Sequence, residues 1–184
     1  MMSLTFSWYV YLLTVLASFL GLVVGAHYID IATSVEKFSP YFKIPTRKMM
    51  SVGLASVFAG VLVGIYLTVY TFRPLFIVFV LIEGVAAIFY PREVTRVFHS
   101  YPAFGLSWGA IPFLACYYIQ AGKLTPLIVS VAFFVGISVV MMHHLAIMTR
   151  ESSDWRNAIY LLNMYKYSVY GLALVSVIGR LLLA

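Results

Sequence analysis

The sequence predicts an all-α integral membrane protein of about six transmembrane helices, and three observations carry that reading. Hydrophobic residues make up 63% of the chain and charged residues only 10%, against roughly 25% charged in an average soluble domain. A chain of 184 residues cannot hide that much apolar surface from water. The apolar residues also fall into runs of spanning length, about 20 residues each. Finally, Lys and Arg gather in alternate loops. Those after the first, third and fifth runs hold Lys37, Lys43, Arg47, Lys48, Arg92, Arg96, Arg150, Arg156 and Lys166; the other side has Arg73 and Lys123, with Arg180 near the C-terminus. The positive-inside bias makes the first set cytoplasmic and places both termini outside. The expectation is one transmembrane helical domain over residues 1–184, in the cell membrane.

In chain order, the expected spans are 4–26, 50–72, 75–90, 103–121, 124–148 and 167–184, the last preceded by an amphipathic segment over 155–166. The first basic residue is Lys37, so the positive n-region of a signal peptide is missing. Arg73-Pro74 ends the second span, and Pro91 and Pro102 bracket a polar break. Gly105, Gly109 and Pro112 fall inside the fourth span, and Gly122-Lys123 turns into the fifth. The net charge of +6 lies thinly in loops, which excludes nucleic acid as the expected partner and fits membrane topology. The single Cys116 has no intramolecular disulfide partner, so it says nothing of redox compartment.

The polar residues have one address. Stretches 25–48, 91–102 and 149–166 fall on the cytoplasmic side, with all four histidines and five of the six carboxylates. His27 and Asp30 stand three apart and share a face if the first helix runs on through them. His143 and His144 point about 100° apart on a helix, so both cannot face one bundle interior. Glu83 is the remaining acid, near the middle of the third span. An ionisable group there costs about 2.5–3.5 kcal/mol on insertion scales, so a functional or paired role is expected, such as a protonated carboxyl hydrogen-bonded to Ser, Thr or Tyr on another helix. Gly60 and Gly64 form a GxxxG pair suited to close helix packing. Tyr and Phe near span ends read as interfacial belts or as the lining of a lipid groove.

Two motif-like stretches extend the reading. Ala26-His27-Tyr28-Ile29-Asp30, with Ser34, resembles the first aspartate motif of the UbiA superfamily of intramembrane prenyltransferases. The run from Met142 through His143, His144 and Thr149 to Arg150 and Glu151 resembles the second, four spans later. Between them Tyr90-Pro91, Arg92, Arg96, Pro102, Gly105, Trp108 and Pro112 resemble that family's basic loop and following helix, and Thr46-Arg47 its basic segment after the first motif. The resemblance implies a UbiA-like bundle corresponding to the second through seventh of nine helices. It also implies a catalytic set of His27, Asp30, His144 and Glu151, with Mg2+ on Asp30 and Glu151 and a diphosphate on Arg47, Arg96 and Arg150. The family's pattern is thinned, because Asp30 alone remains of the first motif's aspartates, and Met142 and Thr149 occupy aspartate positions of the second.

Three functions follow as expectations. The first is a UbiA-like protein that holds an isoprenoid or other membrane lipid, with prenyl transfer weak or absent. The alternative keeps Mg-dependent transfer from a prenyl diphosphate to a lipid or aromatic acceptor. A third is a metal oxidoreductase ligated by His27, His99 and His143 or His144, since imidazole suits iron, copper and zinc. Arg92, Arg96, Arg150 and Arg156 also have a plainer role as contacts to anionic headgroups. A homo- or hetero-oligomer within the membrane stays open. P-loop, GxGxxG, nucleophile-elbow and HExxH patterns are absent from the sequence.

Overall fold

The computed structural model describes residues 6–33, 46–90 and 100–151, with the single positions Ile159 and Asn163. Every regular element in them is helical: α1 Trp8–Thr33, α2 Thr46–Thr71, α3 Phe76–Phe89, α4 Tyr101–Ala121 and α5 Pro126–Glu151. α1, α2, α4 and the Pro126–Met148 part of α5 are long and apolar enough to cross a membrane. At most 39% of the most apolar window in any of them is buried within the protein, so their outer faces need lipid. α3 has 14 residues and rises about 21 Å, short of the roughly 30 Å hydrocarbon core. The expected sixth span and all but two positions of the amphipathic segment lie outside the described residues. The chain divides into two compact units, Met1–Ile137 and Ser138–Ala184.

α1 begins and ends later than its hydropathy suggests. At its start, the Ser7 side chain accepts a hydrogen bond from the Val10 N–H, which satisfies one of the unpaired donors of a helix N-terminus. At its end the helix continues past Ala26, because Ala26, Ile29 and Ala32 are all buried. An apolar stripe at three-residue spacing holds the helix on its neighbour while His27 and Asp30 look outward. Two segments widen to π-helix, Phe19–Ala26 in α1 and Leu106–Ala110 in α4. Pro112 follows the second and has no N–H to offer the Trp108 carbonyl.

Small residues set the helix spacing in the first unit. A Cβ on Gly60 would lie 2.7 Å from the Ala17 carbonyl oxygen of α1, and one on Gly64 2.6 Å from Val80 Cγ2 of α3. The GxxxG pair thus serves two neighbours, one glycine each. α4 meets the start of α5 in the same manner, Gly109 against Gly136. Close approach of this kind replaces a hydrophobic driving force, which lipid does not supply between helices.

Polar contacts tie one end of this unit. The Ser7 N–H donates to Gln120 Oε1 at 3.1 Å, and Gln120 Nε2 donates to the Ser7 carbonyl at 3.1 Å. Arg73 Nη1 donates to the Tyr118 carbonyl at 3.0 Å and also to that of Ile119. A cation there complements the partial negative charge at the α4 C-terminus. Arg73 comes into position because α2 closes with Phe72 N–H on Val69 O and Arg73 N–H on Thr68 O, both 3.2 Å. That is a Schellman closure with Phe72, φ 53°, where glycine is usual. Exposed rings surround this end, including Trp8, Tyr9, Tyr66 and Tyr70, the composition of an interfacial belt. At the other end Tyr90, Phe104 and Trp108 cluster with centroids 5.5–6.3 Å apart.

Candidate functional site

Two buried apolar clusters sit at different depths in the first unit. One joins Val10, Leu67, Phe76, Ala115, Tyr118 and Ile119 near the tied end. The other joins Leu22, Ala26, Ile29, Val57 and Ala87 farther along. Between them lies a cleft. Its walls are Thr14, Ala17, Ser18, Gly21 and Leu22 from α1, Val57, Gly60, Val61 and Gly64 from α2, Phe76, Val80, Glu83 and Gly84 from α3, and Ala115 from α4. The centres of water-sized groups have about 30 Å³ in which to sit; one water needs roughly 10–15 Å³, so the interior takes about two such groups. A Cβ on Gly21 would meet nothing within 4 Å, so this glycine leaves open space where others are pressed against backbone.

Glu83 lies midway along α3 and joins the cleft wall. Its Oε1 is buried with no hydrogen-bond partner, the one such side-chain atom among the described residues. The expected partner for this atom, a Ser, Thr or Tyr of another helix, is therefore not found among the described residues. Thr14 explains part of the reason. Its Oγ1 donates to the Val10 carbonyl at 2.7 Å, so its proton is committed within α1 and only lone pairs remain.

The residues singled out by sequence lie elsewhere. The helix does run through His27 and Asp30, and both are exposed near its end. Arg47 is exposed at the second position of α2. Those three belong to the first unit, whereas His144, Arg150 and Glu151 belong to the second. His143 is half-buried and His144 exposed, as their angular separation on one helix requires. The helix includes Arg150 and Glu151, whose side chains lie outside the described residues, as do Arg96 and His99 altogether. Among the described residues, no three His, Cys, Asp or Glu side chains gather as a metal site.

Sequence reasoning found Glu83 but missed Thr14, Ser18 and Gly21. A signal was present: these three recur at spacings of four and three within an apolar run, which places them on one helix face. No protein-family model, curated protein or solved structure matches the chain.

Proposed function

We propose that this chain is a polytopic membrane protein that holds an isoprenoid or other lipid between its helices, with prenyl transfer weak or absent. The observation that carries this reading is the cleft. It is almost wholly apolar, lies among helices whose outer faces need lipid, and contains one buried acid. Ligand sites commonly combine apolar walls with a few convergent polar groups. The full reading has six spans in a UbiA-like bundle, both termini outside and the basic loops cytoplasmic in the cell membrane. Its support is the alternation of Lys and Arg and the positions of His27–Asp30 and His143–Glu151 along the chain. Weak transfer follows from chemistry. Magnesium wants hard oxygen ligands, and the motif positions retain few carboxylates.

The test is mass spectrometry of the intact protein purified from its membrane in mild detergent. One lipid class, retained at near-equal stoichiometry and enriched over the bulk membrane, is the expected result. Bound lipid that mirrors the bulk composition overturns the reading.

A further inference from the structure

Resting on the lipid-holding reading, we propose that the cleft recognises the hydroxyl of a neutral lipid alcohol, with Glu83 and Thr14 as its hydrogen-bond partners. The chemistry of the two side chains leads to this group. Thr14 Oγ1 has its proton on the Val10 carbonyl and can only accept. Glu83 Oε1 is buried without a partner. An ionised carboxyl only accepts, while a protonated one both donates and accepts. A hydroxyl complements Thr14 and a protonated Glu83 together, because its one proton goes to Thr14 Oγ1 while its oxygen accepts from the carboxyl. A carbonyl cannot satisfy Thr14, and an ether oxygen has the same defect.

Size and charge narrow the class further. Room for about two water-sized groups admits a hydroxyl and its carbon but not a ring or a diphosphate. The lipid tail must therefore run out of the cleft along the apolar helix faces. Among the described residues no Lys or Arg lines the cleft, so there a diphosphate would meet an acid with no cation to offset its charge. The absence of a side chain at Gly21 leaves the space open, and Ser18 adds a second hydroxyl to the same wall. The cleft thus selects against the very group that Arg47, Arg96 and Arg150 were expected to bind.

The experiment uses the full chain in detergent, with radiolabelled farnesol in equilibrium dialysis and unlabelled farnesol, farnesyl methyl ether and farnesyl diphosphate as competitors. Leaving a buried acceptor unpaired weakens binding by about tenfold or more. Farnesol should therefore compete at least about tenfold better than the ether or the diphosphate. Glu83→Leu should lose about tenfold in farnesol affinity. Glu83→Gln, whose amide keeps a donor and an acceptor, should stay within about threefold. Thr14→Val, a second and independent variant, should weaken farnesol and leave the ether unchanged. Equal competition by alcohol and ether, or wild-type farnesol affinity in Glu83→Leu, overturns the proposal. If Gly21→Leu abolishes binding of alcohol and ether alike while wild type binds them equally, the hydroxyl assignment fails and lipid holding stands. If neither ligand binds and the purified protein carries no enriched lipid, both fall.

Discussion

Two polar regions of the first unit are built on opposite plans. Near the end of α1 and the start of α2, His27, Asp30 and Arg47 are charged or titratable and stand exposed. Midway along α3, Glu83 joins a cleft wall whose other polar side chains, among the described residues, are Thr14 and Ser18, yet its Oε1 is enclosed and unpartnered. A dense set of charges is expected wherever a membrane protein meets water and headgroups. A single enclosed acid is not, because burying a polar group without a partner is costly. Enclosure is thus the better guide to a binding site than charge count, and the two regions can be set against each other by experiment.

The largest expected effect is all or none. In a Cys116→Ala background, cysteines at Tyr101 and Lys123, both exposed, should react with a membrane-impermeant maleimide from opposite sides, Lys123→Cys from outside. Labelling from the same side breaks the six-span account.

Next come the cleft walls. Gly60→Val puts side-chain atoms where even a Cβ would be 2.7 Å from a backbone oxygen, an overpacking that costs about 1–3 kcal/mol or more. Gly21→Ala, facing open space inside a helix, should cost nothing and add up to about 1 kcal/mol through helix propensity. Thermal unfolding in detergent reads both. Equal losses would mean that the cleft is not open at Gly21.

The effect at the helix ends is no larger. Arg73→Met removes charged hydrogen bonds to the Tyr118 and Ile119 carbonyls and should cost about 1.5–3 kcal/mol. Arg47→Met, exposed near the start of α2, should cost under about 0.5 kcal/mol. A reversal of that order in the same unfolding measurement would assign the structural load to the exposed start of α2.

The helices themselves were legible in sequence because length and hydropathy are local properties. Spans two to five fall close to α2, α3, α4 and α5. α1 was displaced because hydropathy stops at His27, whereas the buried stripe of Ala26, Ile29 and Ala32 continues. Glu83 was legible as an anomaly, since an acid in an apolar run stands out without any structure. Its surroundings were not. They depend on which faces of α1, α2 and α3 meet, and Gly60 and Gly64 had to be seen against separate neighbours before a space between them could be located. Arg73 shows the same limit. Read along the chain it counts as a loop charge, and only folding brings the α4 carbonyls to it.

On the proposed reading the mid-depth cleft, and not the exposed end near His27 and Asp30, holds the lipid. Mass spectrometry of the intact protein should be run on wild type, Gly21→Leu and Asp30→Lys purified in parallel, with unfolding temperature as the control for folding. Gly21→Leu adds a side chain at a lining position of the cleft and should emerge without the retained lipid, while Asp30→Lys should carry as much as wild type. Retention by Gly21→Leu together with loss from Asp30→Lys would contradict the account.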